Sequence, residues 1–168
     1  AAGQFTLVNH FVPSIPESPT SLPVTYKKVS GSLPITGWNT LDEGWKGNTL
    51  PASADWRRVT YGNGKFVAVT DGTGRCAYST DGISWNETSL PTSRRWYGVT
   101  YGDGKFVAVA LSTDKGAYST DGINWNEFTL PASQGWHSVT YGNGKFVAVA
   151  GESSTGAYST DGITWGTM

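Results

Sequence analysis

The chain has 168 residues, enough for one sizeable core, and its formal net charge of −1, with arginines and lysines scattered along it, leaves no nucleic-acid footprint. A single cysteine, Cys76, forbids an intrachain disulfide. Uninterrupted apolar runs reach about five residues where a membrane-spanning helix needs roughly 20, and no charged-then-apolar leader opens the sequence.

Residues 1–40 read as a Pro-rich attachment segment. Five of the eight prolines fall there, at positions 13, 16, 19, 23 and 34. Proline donates no ladder hydrogen bond, so strand pairing through the first half of this stretch is disfavoured. Residues 24–30 (VTYKKVS) can supply one strand. The stretch FTLVNHFVPSIPESP reads as an extended arm with apolar anchors at Phe5, Leu7, Val8, Phe11, Val12 and Ile15. A flexible linker is the plainer interpretation. An arm that docks on a neighbouring subunit or larger assembly is the preferred one, because linkers rarely carry so many large apolar residues.

Residues 41–168 read as one repeat domain. Its first part, WKGNTLPASADW at 45–56, matches WNETSLPTSRRW and WNEFTLPASQGW further on. Trp45 therefore belongs to the last strand of a worn fourth copy, whose earlier strands would come from residues 1–40.

From Trp56 the sequence repeats with a period of forty, giving copies over 56–95, 96–135 and 136–168. A fixed period of this size marks a repeat architecture. Within each copy, VTY and FVAV flank Gly-Asn-Gly or Gly-Asp-Gly, a hairpin signal because the tight turn needs positive φ twice. AYST and the Trp-bearing run after it flank Asp-Gly in the same way. No window places apolar residues at helical spacing without a glycine interrupting it. The expected fold is all-β: four-stranded antiparallel meanders assembled like propeller blades, three clear and a fourth degenerate.

The runs STDGISW, STDGINW and STDGITW resemble the Asp-box, or bacterial neuraminidase repeat, of sialidase-type β-propellers and of phage tail and surface proteins. The usual box has one residue between Asp and Gly, whereas Asp81, Asp121 and Asp161 are each followed directly by Gly. The resemblance covers 56–168 and implies a propeller in which these turns are structural and lie away from the ligand face. The residues agree with such a role. Ser79, Asp81 and Trp85, with Ser119, Asp121 and Trp125 and with Ser159, Asp161 and Trp165, can bond and cover their own turns.

Closed propellers have about four to eight blades, so three need completion. The arm can complete a four-bladed ring, two chains can close six blades, or the blades can stay open against partners. A homo-oligomer is the expectation.

Motifs of chemistry are few. GNGK lacks the Walker spacing, and there is no His-Glu-x-x-His, no Cys-x-x-Cys and no Gly-x-Ser-x-Gly. Neither a metal, nor a cofactor, nor catalysis is expected. A sialidase-type glycosidase fragment is the catalytic alternative, but arginines occur only at 57, 58, 75, 94 and 95, and the acids outside the repeated framework are Asp71, Asp114 and Glu152.

Internal comparison separates two edges of the blades. The identical turns share one edge, while the loops that differ between copies share the other. Loops at one end of a rigid scaffold commonly bind. The expected ligand edge comprises Asp55, Arg57, Arg94, Arg95, Tyr97 and His137, flanked by Trp56, Trp96 and Trp136. These three tryptophans are identical in every copy and so lean towards the core. With the resemblance, this gives a non-enzymatic virion appendage or surface module, in a virion or outside the cell, reading host glycan or another surface polymer. A structural or decoration protein packed on other virion subunits is the alternative.

Overall fold

The computed structural model describes residues 47–168. The Pro-rich arm of 1–40, its strand over 24–30, its docking role and the early strands of the worn copy lie outside the described residues. The described chain is all-β, with no helix among the described residues.

Three four-stranded antiparallel sheets follow one another. The first holds β1 (Trp56–Gly62), β2 (Lys65–Thr70), β3 (Arg75–Ser79) and β4 (Asn86–Ser89). The second holds β5 (Trp96–Gly102), β6 (Lys105–Ala110), β7 (Thr113–Ser119) and β8 (Asn126–Gln134). The third holds β9 (Trp136–Gly142), β10 (Lys145–Ala150), β11 (Gly156–Ser159) and the two-residue β12 (Gly166–Thr167). Each sheet is a meander in chain order.

The first turn of each blade follows from its residues. Asn63 and Gly64 adopt φ of 46° and 71°, Asp103 and Gly104 44° and 72°, and Asn143 and Gly144 47° and 71°. Two successive positive φ values make the turn whose twist suits a hairpin, and Asn, Asp and Gly tolerate them best. Phe66 pairs with Ser79, at the start of β2 and the end of β3. The Asn63 turn and the Asp81 turn therefore share an edge, the framework edge, and the β2–β3 and β4–β5 connections share the opposite one. The equivalent register recurs at Phe106 with Ser119 and at Phe146 with Ser159.

The first strands of the blades lie side by side, β1 beside β5 and β5 beside β9. The core lies between blades. Val67, Val69, Cys76 and Leu90 of the first blade pack on Trp96, Val99, Phe106 and Ala108 of the second. Val107, Val109, Phe128 and Leu130 repeat this against Trp136, Val139, Phe146 and Ala148 of the third. Volume is conserved position by position, as close packing requires: Cys76 pairs with Thr88 across β3 and β4, while Gly116 pairs with the larger Phe128, whose ring occupies the space of a Cβ at 116.

A fourth blade is not among the described residues. Gly47–Leu50 is not a strand, yet Asn48 Nδ2 donates to the Gly82 carbonyl at 2.7 Å. Thr88 Oγ1 likewise donates to the Ile123 carbonyl at 2.8 Å, so Asn48 does for the first blade what an outer strand does for the second.

Candidate functional site

The three Ser-Thr-Asp-Gly turns share one serine–aspartate hydrogen-bond pattern. Ser79 Oγ donates to Asp81 Oδ1 at 2.9 Å and accepts from the Gly82 N–H at 2.8 Å, while the N–H groups of Ile83 and Ser84 donate to Asp81 Oδ1 at 2.8 and 2.7 Å. Ser119 with Asp121, and Ser159 with Asp161, repeat the arrangement. The N–H groups of Ile83 and Ser84 hold Asp81 well below the usual carboxylate range. At Asp161 the N–H of Thr164 leads in lowering the carboxyl to about 2. At Asp121 burial pushes upward, but the hydrogen bonds from Asn124 and Ile123 outweigh it and the carboxyl is lowered. Trp85 Nε1 donates to the Gly82 carbonyl at 3.3 Å, whereas Trp125 and Trp165, whose rings lie beside Phe106 and Phe128, have Nε1 buried without a hydrogen-bond partner among the described residues. In each turn the serine Oγ and the aspartate Oδ1 are engaged by the turn itself, which makes these turns framework.

The opposite edge is different. In each blade the first strand carries a β-bulge where it meets the second. Trp56 pairs with Thr70 and Arg58 with Val69, leaving Arg57 as the extra residue. The same count leaves out Tyr97 between Trp96 and Gly98, and His137 between Trp136 and Ser138. A bulge takes its side chain out of the pleat and re-aims it. Three adjacent strands thus present Arg57, Tyr97 and His137 in a row at the loop edge.

Side-chain contacts tie this row together. Arg95 grips Asp71 with Nε to Oδ1 at 2.9 Å and Nη2 to Oδ2 at 3.1 Å, the two-pronged geometry a guanidinium favours. Arg57 Nη2 reaches Asp71 Oδ2 at 3.2 Å and Asp55 Oδ2 at 2.6 Å. The Arg57 and Arg95 guanidinium carbons lie 5.1 and 5.5 Å from the centre of the Tyr97 ring, within cation–π range. His137 meets the same ring edge-on with centroids 5.3 Å apart. The hydrogen bonds from Arg95, with those from Arg57, keep Asp71 below its usual value against the opposing effect of burial. The Asp71 side chain is 9% exposed and that of Arg95 is 54% exposed, so the acid is the foundation and the arginine faces solvent.

Of the expected edge residues, Asp55, Arg57, Arg95, Tyr97 and His137 come together. Arg94 does not. Its Nη1 donates to Thr113 Oγ1 at 3.3 Å and its Nη2 to Glu127 Oε2 at 3.4 Å, on the outer part of the second blade. Nor do Trp96 and Trp136 flank a ligand face, whereas Trp56 is partly buried and lines a cavity with Arg57. Trp96 and Trp136 are fully buried, and Trp56, Trp96 and Trp136 donate Nε1 to the carbonyls of Ala52, Thr92 and Ala132 at 3.2, 3.1 and 3.1 Å. Each clamps the chain that enters its blade. The residue of that edge that sequence reasoning left out of the ligand set is Asp71. Its signal was present, since the equivalent positions hold Leu111 and Gly151.

Cys76 is buried, and burial pushes its thiol up to about 12, which removes it as a nucleophile. Among the described residues no group of His, Cys, Asp and Glu is placed to hold a metal ion, and no helix is long and apolar enough to cross a membrane.

No family model and no curated protein matches the chain. Solved structures do. Virginiamycin B lyase from Staphylococcus aureus is 18% identical with a TM-score of 0.67, over 76% of this chain and 46% of that one. A structure described as YCF48 bound to D1 peptide is 17% identical with a TM-score of 0.63, over 76% of this chain and 44% of that one. A streptogramin B lyase is 17% identical with a TM-score of 0.55, over 62% and 36% of the two chains. These are β-propeller-like repeat proteins built of four-stranded antiparallel sheets, and this chain shares that fold. It spans less than half the length of each.

The comparisons correct the expected function. The similar propellers are lyases and a peptide-bound protein, and nothing in them points to a virion appendage, a tail fibre or a host glycan. That assignment came with the Asp-box resemblance and had no residue of its own behind it. The virion decoration and sialidase-fragment alternatives fall with it.

Proposed function

We propose that this chain is a non-catalytic protein-interaction module of propeller type, which holds a peptide segment of a partner protein across the row Arg57, Tyr97 and His137. Three successive bulges aimed at one edge are the observation that carries this reading. The bulge recurs at the same position in all three blades while its side chain differs, which is how a rigid repeat fold acquires a specific surface.

The chemistry suits a carboxylate next to an apolar or aromatic side chain. Among the described residues, Nε and Nη1 of Arg57 and Nη1 of Arg95 have no protein acceptor and can take the carboxylate. Tyr97 and His137 supply the platform beside it. The peptide bound to the YCF48 propeller makes a peptide a reasonable occupant for a blade edge. The three turns are assigned to the Asp-box kind on their hydrogen bonds, and they serve the scaffold. Catalysis is disfavoured because Asp55 and Asp71 are paired with arginine and Asp71 is held ionised, a poor starting point for an acid or base at neutral pH.

Titration calorimetry with a pool of short peptides, run once with free C-terminal carboxylates and once with the same peptides amidated, tests this. Binding of the free-acid pool is expected, with Tyr97→Ala weakening it by about tenfold or more. Equal behaviour of the two pools, or binding indifferent to Tyr97→Ala, contradicts the reading.

A further inference from the structure

We propose that a slot between the second and third blades, floored by Leu111 and held open by Gly135, selects a large apolar side chain of the peptide beside its carboxylate. This rests on the peptide reading above and deepens it. Equivalent positions define the slot. One backbone hydrogen bond recurs in every blade: the N–H of Asp71 donates to the Asp55 carbonyl at 2.9 Å, that of Leu111 to the Arg95 carbonyl at 2.8 Å, and that of Gly151 to the Gly135 carbonyl at 2.8 Å. Asp55, Arg95 and Gly135 thus hold one place in the fold, and Asp71, Leu111 and Gly151 another.

Between the first and second blades these places are filled. Arg95 reaches back to Asp71 in its two-pronged grip, and its Nη2 donates to Tyr97 Oη at 3.4 Å. Between the second and third blades the counterparts are Gly135 and Leu111, and the arginine has no equivalent. A Cβ at Gly135 would meet only Leu111 Cδ2 at 3.7 Å and His137 Cδ2 at 3.9 Å, which is ordinary contact. The backbone does not demand glycine there, since the φ of Gly135 lies outside the left-handed region. Gly151 fixes the far wall. A Cβ at 151 would overlap the His137 ring, with Cδ2 at 2.6 Å and Nε2 at 2.7 Å, so this glycine lets the imidazole lie against the backbone.

The walls decide the occupant. The floor is an aliphatic side chain, and the sides are the rings of Tyr97 and His137, which meet edge-on. Charges nearby are already paired: Asp71 with Arg57 and Arg95, Asp114 with Lys115, and Glu127 with Arg94. A charged side chain entering the slot would shed water without gaining a free counter-ion, whereas an aliphatic or aromatic one gains by leaving water. Tyr97 stands between the slot and the guanidinium groups of Arg57 and Arg95, which lie 5.1 and 5.5 Å from its ring centre. A peptide with its carboxylate on the arginines crosses the Tyr97 ring to lay an adjoining side chain in the slot.

Titration calorimetry with free-acid peptides in two sets, one ending in two leucines and the other in two alanines, is the test. The wild-type chain is expected to bind the leucine set about fivefold or more tightly. Leu111→Asp combined with Gly135→Arg copies the Asp71–Arg95 pair into the slot and is expected to bind both sets alike, while still preferring free acid to amide. Gly135→Gln, which plugs the slot without a charge, is expected to lose the same preference, and both variants are expected to keep the far-ultraviolet β spectrum. A wild type that binds both sets alike, or a leucine preference kept in either variant, overturns the proposal. A preference that the variants lose, with amidated peptides bound as well as free acids, overturns the carboxylate reading alone and supports the slot. Binding of neither set overturns both.

Discussion

Trp96→Ala lowers the stability of the repeat unit by about 3–5 kcal/mol, the cost of removing a fully buried aromatic from a packed core. Trp96 is fully buried between the first and second blades and clamps the incoming chain through its bond to the Thr92 carbonyl. The same substitution at Trp56 costs about half as much or less, because Trp56 lies at an open face and is only partly buried. The two residues occupy the same repeat position, so local sequence cannot separate them and only the presence of a preceding blade does. Urea unfolding of the two variants checks this. Equal losses at both positions would mean that burial between blades is not what stabilises the unit.

Gly102→Ala is the second large effect. The added methyl would fall inside the Tyr141 ring, and the ring cannot leave without opening the contact between β5 and β9. A cost of about 1–3 kcal/mol is expected, the usual range for overpacking. Gly142→Ala serves as the control. It has open space around it, and an exposed site of this kind changes stability by no more than about 0.5 kcal/mol. Thermal unfolding of the pair reads the difference. A neutral Gly102→Ala would place Tyr141 elsewhere.

The blades were legible in the sequence because their turns are local. Asn63-Gly64 and Asp81-Gly82 state their own geometry, and the forty-residue period repeats it. The assignment of edges was legible too, since it follows from counting strands between turns. The bulges were not. A bulge is two residues set against one, so it depends on the register of the partner strand, and nothing in WRRVT, WYGVT or WHSVT announces it. Asp71 was legible only by contrast with Leu111 and Gly151. Arg94 and Arg95 show the reverse failure. Neighbours in an extended chain point to opposite sides, so one arginine joins Asp71 and the other leaves for Glu127.

The functional lesson is separate. The periodicity and the Asp-Gly turns specified a scaffold, and a scaffold hosts many activities. What distinguishes this chain is the side chains at three equivalent bulges, and there the residues speak of cations and aromatic rings.

The most direct measurement is a chemical-shift map of the isotope-labelled chain titrated with the free-acid peptide pool. The account predicts that the largest shifts fall on Arg57, Tyr97, His137 and the side chain of Arg95, with the turns at Asn63, Asp103 and Asn143 unmoved. Shifts concentrated on those turns, or spread evenly over both edges, would contradict it.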